Sequence, residues 1–163
     1  MDDSQLAELY YRTTLELADS AGQIWRITPT DTEPMSPVEV LAPYTDAFIL
    51  TAENPESSGE NTAADNARAT RALQADLESS GLVFRECPGF GFDVDHVEHG
   101  FALLADEDSR ESVRSKALEL ATTYRQNAIF QLHAGGLGII GALRAHMAGI
   151  RNVEIRHHPT HSG

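Results

Sequence analysis

The chain has 163 residues, of which 41% are hydrophobic and 23% charged, an ordinary globular composition that favours neither a disordered nor a fibrous protein. Its 25 acidic and 12 basic residues give a formal net charge of −13, which repels nucleic-acid phosphate and anionic lipid from most of the surface, so we expect neither as a partner. With no apolar run near the roughly 18 residues of a membrane span and an acidic start unlike a signal peptide, we expect one cytoplasmic domain, residues 1–163.

A helix and a short strand are predicted in residues 1–45. The helix is expected over residues 4–19, where Ser4 is a suitable cap and apolar residues recur at steps of three and four. Residues 23–28 alternate as a short strand does, and four prolines then indicate that residues 29–44 are mostly loop.

Regular elements follow from residue 46. The uninterrupted apolar run 47–50 predicts a strand buried on both faces. The capping box Thr62 to Asp65 opens a helix over 62–80, which Gly81 ends. Strands are predicted at 82–87 and 101–104, which should pair as a hairpin, then a helix over 109–124 and a strand from residue 128.

This order over residues 46–132 is the split βαβ arrangement of ferredoxin-like domains. We therefore predict an α+β fold with a βαββαβ core, in which both helices cover one face of an antiparallel sheet. Residues 133–163 form a C-terminal extension, with edge strands at 137–142 and 153–156. A partly helical segment 137–147 is the alternative.

Residues 136–141 match the dinucleotide-binding pattern G-x-G-x-x-G. No helix is predicted directly after Gly141, and the preceding elements do not form a parallel sheet, so the context of that motif is absent. The glycines are expected to permit a tight hairpin or close strand packing. We predict no bound cofactor.

Residues 93–99 contain three carboxylates and two imidazoles, which are ligand types for zinc, manganese or nonheme iron. In an extended segment His96 and Glu98 point to one side while Asp95 and His99 point to the other, so at most a pair converges. A metal site needs a third ligand, and we expect no stoichiometric metal. The only cysteine, Cys87, is expected to be buried rather than nucleophilic.

Two short motifs and two single polar residues form a recognisable pattern. They are the strand ending in Thr51-Ala52-Glu53-Asn54-Pro55, Asn66 in the next helix, Glu98, and Gln126-Asn127-Ala128-Ile129. They resemble the bacterial domain of unknown function 3293 family over residues 46–131. The longer turn 57–60, and His96 or Val97 in place of an aromatic residue, depart from the family pattern. The resemblance implies a fold and a choice of residues, and it implies no activity.

Topology should bring these residues together. In the predicted fold the first strand is central, with the third and fourth antiparallel on either side. Its carboxyl end then collects one group of polar side chains: Thr51, Asn54, Asn66, Glu98, Gln126 and Asn127. We expect a small-molecule site there, with Glu98 as the candidate catalytic general base and the other five as ligand-binding residues.

A helix N-terminus favours an anion while the acidic loop opposes one, so a neutral or zwitterionic ligand is predicted. The alternative function is a noncatalytic interaction or regulatory module that associates through its sheet, and a homodimer is left open. In that case the polar residues would only fasten loops.

Overall fold

The computed structural model describes residues 1–31, 38–91 and 97–157. The helices in these ranges are α1 (Asp3–Tyr10), α2 (Val38–Leu41), α3 (Ala63–Ser80) and α4 (Arg110–Thr123). The strands are β1 (Thr14–Ala18), β2 (Ile24–Thr30), β3 (Asp46–Thr51), β4 (Phe84–Glu86), β5 (Gly89–Phe90), β6 (Val97–Glu98), β7 (Gly100–Ala105), β8 (Ala128–His133), β9 (Gly136–Gly141) and β10 (Ala148–His157). Among the helices described, none has the length and apolar character needed to cross a membrane.

The strands form one antiparallel sheet in the order β4-β7-β3-β8-β9-β10-β2-β1-β5-β6. Strand β10 connects its two halves, because its first part pairs with β9 and its second part with β2. The sheet curls into a half-barrel, and its two ends approach each other where Cys87 and Pro88 join β4 to β5. There the Glu16 amide donates to Pro88 O at 3.0 Å, and the Cys87 amide donates to Gly100 O at 2.8 Å.

The predicted α+β, ferredoxin-like fold is wrong, because the structure is a mostly-sheet half-barrel. The predicted strand neighbours do occur, since β3 pairs with β7 and β8, and β4 pairs with β7. These are only four of ten strands, however, and the segments predicted as edge strands, 137–142 and 153–156, lie inside the sheet. Each has strand neighbours on both sides, so the sheet continues past β8 and curls instead of stopping after four strands.

Both faces of the sheet are buried. On the convex face, Phe48 and Leu103 pack against Leu73 and Leu77 of α3 and the apolar stripe of α4. On the concave face, the alternate residues of the same strands pack with α1, α2 and the inward residues of β1, β9 and β10. Because neighbouring side chains of a strand point to opposite faces, the apolar run of β3 serves both cores.

The helix predicted over residues 4–19 is also wrong beyond Tyr10. The helix ends there, and residues 14–18 form β1, with Leu15 and Leu17 buried on the concave face. Thr13 and Thr14 are β-branched and favour a strand. Since Leu17 fits both a helical stripe and an alternating strand, tertiary pairing with β2 decides between them.

Other predicted boundaries are close to the structure. The capping box of α3 is formed by Thr62 and Asp65, and Gly81 adopts the left-handed conformation after the helix. The alternative of a partly helical 137–147 is wrong, because residues 136–141 are strand β9. The acidic residues 93–96 and the histidines after residue 157 lie outside the described residues.

The glycines of β9 and its neighbours allow close backbone approach. A Cβ atom on Gly136, where φ is +123°, would lie 2.3 Å from Arg151 O, and one on Gly141 would lie 2.0 Å from Arg144 O. In both cases the contacting atom is a backbone carbonyl oxygen, which cannot move aside as the end of a flexible side chain can. The G-x-G-x-x-G pattern is thus explained by packing.

We expect Gly136→Ala to lower the free energy of unfolding by about 2–3 kcal/mol, through left-handed strain and the backbone clash. Chemical denaturation measures the change. Gly91→Ala is the control, because a Cβ there meets nothing within 4 Å. Equal stability of the two variants would contradict the packing role.

Candidate functional site

The segment after β3 has an unusual backbone. In the described part of the chain, every non-glycine residue with positive φ lies in this segment or against it: Asn54, Glu56, Ser57 and Arg125. The Glu56 amide donates to Arg125 O at 2.8 Å, and the Arg125 guanidinium pairs with the Glu56 carboxylate. Left-handed conformations of this kind persist only where surrounding contacts hold them, and they cluster at functional sites.

Asn54 is the centre of a polar network. Its Nδ2 donates to Glu98 Oε1 at 2.7 Å, and its backbone amide donates to Asn66 Oδ1 at 2.9 Å. The Asn66 Nδ2 returns a bond to Asn54 Oδ1 at 3.1 Å, and Asn61 Nδ2 also donates to Asn66 Oδ1 at 3.3 Å. These bonds fix the orientation of the Glu98 carboxylate relative to β3 and α3.

A second set of bonds joins β3 to the chain before β7. The buried Glu53 carboxylate accepts from the His99 amide and lies 3.2 Å from His99 Nδ1. The Thr51 hydroxyl donates to His99 O and accepts from the Glu53 amide, each at 3.0 Å. Gln126 Nε2 donates to Glu53 O at 3.0 Å. These bonds tie the end of β3 to the residues just before β7 and β8.

A cavity of about 690 Å³ opens beside this network. Its apolar walls come from α1 and the concave face of the sheet: Leu6, Leu9, Tyr10, Leu15, Ile49 and Phe130. Its polar end is the network around Asn54 and Glu98. Because α1 crosses the open side of the curled sheet, the cavity lies between that helix and the strands.

Tyr10 lies between the walls and the polar end. Its ring is tilted against Phe130 with centroids 5.5 Å apart. Burial, with the nearby Glu98 charge in addition, raises the pKa of Tyr10 to about 12, although hydrogen bonds with Ser57 and the Ala128 backbone act in the opposite direction. The phenol is therefore neutral at physiological pH and presents a hydroxyl group at the polar end.

The structure brings most of the predicted site residues to one cavity. Five predicted residues line the cavity: Thr51, Asn54, Asn66, Glu98 and Gln126. The sixth, Asn127, is not among the lining residues. It is buried, and its Nδ2 donates to Ser57 Oγ at 3.2 Å, so Asn127 supports the loop that forms the polar end. Their roles toward a ligand stay predictions.

Sequence reasoning missed Tyr10, Glu53 and Ser57. Glu53 and Ser57 lie within or next to the Thr-Ala-Glu-Asn-Pro motif, so the motif itself was a sufficient signal for them. Tyr10 was assigned to a packing stripe, and no sequence pattern reveals that α1 crosses the concave face. Of the three, only Tyr10 depends on tertiary packing to reach the cavity.

No group of three or more potential metal ligands occurs within residues 1–31, 38–91 and 97–157. Asp93, Asp95 and His96 fall outside those ranges. The absence of a stoichiometric metal stays a prediction.

Cys87 lies at the wall of the cavity but is almost fully buried. Burial, with the Glu16 charge in addition, raises the pKa of its thiol to about 12. We expect no reaction with Ellman's reagent at pH 8 in the folded protein, because the thiolate is the reactive form. One thiol per chain should react in 6 M guanidinium chloride. Rapid native labelling would contradict the burial of Cys87.

Comparisons with curated proteins and with solved structures give no match. A family model described as "Protein of unknown function (DUF3293)" matches residues 50–129. The match includes all six predicted site residues, the helices α3 and α4, and the end of β3. The predicted resemblance to the DUF3293 family of proteins of unknown function is therefore confirmed over residues 50–129.

Proposed function

We propose that the protein binds a small molecule with an apolar body and a polar head in the cavity beside Asn54 and Glu98. The observation that carries this proposal is the cavity itself, whose volume of about 690 Å³ falls in the range of about 300–1,000 Å³ typical of ligand pockets. Its apolar walls and single polar end match the usual make-up of such pockets. The left-handed backbone conformations of Asn54, Glu56 and Ser57 beside the cavity add support, because such conformations cluster at functional sites.

The head is proposed not to be polyanionic, which keeps the predicted neutral and zwitterionic heads and also admits a cationic one. Two carboxylates, Glu53 and Glu98, are among the described lining residues, and Lys, Arg and His are not. A phosphate-rich ligand would meet repulsion there. Glu98 is also the residue we propose as a general base if the ligand is turned over, since it lies at the polar end where a head group would be held.

The alternative, an interaction module that associates through its sheet, has less support. The terminal strands β4 and β6 are only three and two residues long. Such short edges offer little backbone for pairing with another chain.

Blocking the cavity mouth tests the proposal. Leu9 lines the cavity and is 42% exposed, whereas Val83 is 47% exposed and does not line it. We expect N-phenyl-1-naphthylamine, a neutral probe that fluoresces in apolar surroundings, to bind Leu9→Cys with one site per chain. Labelling that cysteine with N-phenylmaleimide should reduce probe binding at least tenfold, because the added ring occupies the entrance.

Val83→Cys, labelled in the same way, is the matched control and should bind the probe as before. Buried Cys87 leaves the introduced cysteine as the only reactive thiol expected. Equal probe binding by both labelled variants, or no saturable binding by the unlabelled chain, would contradict the proposed cavity function.

A further inference from the structure

The polar end of the cavity carries acidic side chains. Glu98 is oriented by Asn54, and the buried Glu53 lies on the adjacent part of the same lining. The nearby Arg125 is paired with Glu56. The described lining thus carries two carboxylates. Glu53 accepts from the His99 amide and lies 3.2 Å from His99 Nδ1, so Glu98 is the carboxylate placed to meet a ligand head.

The N-terminus of α3 does not supply an anion site. Asp65 places its own carboxylate in the first helical turn and accepts from the Thr62 amide at 3.1 Å, while Thr62 Oγ1 accepts from the Asp65 amide at 3.1 Å. The chain's own anion therefore occupies the position that a ligand carboxylate would otherwise take. A zwitterionic head would therefore find no helix terminus for its carboxylate, which favours an ammonium head without a carboxylate.

We propose, resting on the proposed ligand site, that the ligand is an amphiphilic amine whose ammonium group binds at Glu98. The apolar body lies along Leu15, Ile49 and Phe130. An ammonium group has three hydrogen-bond donors and no acceptor. The polar end offers matching oxygens from Glu98, Asn54 and Ser57, all of which line the cavity.

Four compounds with the same alkyl chain test the head group: octylamine, 1-octanol, octanoate and 2-aminooctanoate. Isothermal titration calorimetry on the full chain should give one octylammonium per chain, bound roughly tenfold or more tightly than each of the others. A hydrogen bond to a charged group contributes about 1.5–3 kcal/mol, which corresponds to at least that ratio.

Glu98→Gln removes the charge but keeps an oxygen that accepts from Asn54. It is expected to weaken octylammonium binding about tenfold while changing 1-octanol binding less than twofold. Glu107→Gln removes the same charge from an exposed residue that does not line the cavity. This control should bind octylammonium as the unmodified chain does, which excludes general attraction to an acidic protein.

The outcomes separate the two proposals. If 1-octanol, octanoate or 2-aminooctanoate binds as well as octylamine, the ammonium inference is overturned while the cavity remains a ligand site. The ammonium inference is likewise overturned if Glu98→Gln and Glu107→Gln lose affinity for octylammonium equally. If none of the four compounds and no naphthylamine probe binds in a saturable way, the proposed ligand site itself is overturned.

Discussion

Replacing Asn54 by alanine is expected to lower the free energy of unfolding by about 3 kcal/mol. The variant loses the bond to the Glu98 carboxylate and the bond from Asn66, and bonds to charged groups contribute about 1.5–3 kcal/mol. It also places alanine at φ 48°, ψ 63°, a conformation that asparagine tolerates better than alanine. Urea denaturation measures the change, and octylammonium binding should fall with it.

Asn54→Gly distinguishes the loss of the side-chain hydrogen bonds from the backbone strain that alanine adds. Glycine adopts the left-handed conformation without strain but cannot make the side-chain bonds. We therefore expect Asn54→Gly to be more stable than Asn54→Ala by about 1 kcal/mol and still less stable than the unmodified chain. A glycine variant as stable as the unmodified chain would show that the hydrogen-bond network contributes nothing to folding.

Asp46→Ala is expected to have a comparable effect, about 3 kcal/mol, for a purely structural reason. The carboxylate is only 2% exposed. It accepts from Thr45 Oγ1 at 2.7 Å, from Arg110 Nε at 2.8 Å and from Gln131 Nε2 at 2.8 Å. These bonds tie the start of β3 to α4 and β8, so removing the carboxylate leaves three donors without their acceptor.

The contribution of Asp46 should depend on pH. Burial acts to raise its pKa, but the hydrogen bonds from Thr45, Arg110 and Gln131 outweigh burial and hold the pKa below its usual value. A depressed pKa in the folded state means that the stabilisation is complete above the unfolded value of about 3.9 and is lost as the pH falls through the folded value.

Asp46→Asn is the matched variant for this measurement, because it keeps the shape and removes the charge. The stability difference between Asp46→Asn and the unmodified chain, from urea denaturation, should be largest near pH 7 and should narrow toward pH 3. A difference that is constant over this range would contradict a charged Asp46 as the stabilising form.

Much of the local structure follows from the sequence. The capping box at Thr62, the stop at Gly81 and the apolar run of β3 are each decided by neighbouring residues, so they were predicted within a few positions. The collection of Asn54, Asn66, Glu98 and Gln126 at one end of β3 also followed, because the directions of paired strands fix which ends of the elements meet.

The extent of the sheet and the cavity were decided by tertiary structure alone. Residues 14–18 carry a pattern compatible with helix or strand, and only pairing with β2 and β5 selects the strand. Likewise, β9 and β10 look like edge strands until β2 pairs with β10 across more than 120 residues of chain. Local propensity cannot specify such distant pairings, since they depend on burying both faces of the sheet at once. The sequence by itself therefore determined the local elements and the polar end of the site. The sheet curls under α1 only in the folded chain, and this curl places an apolar cavity beside the polar end.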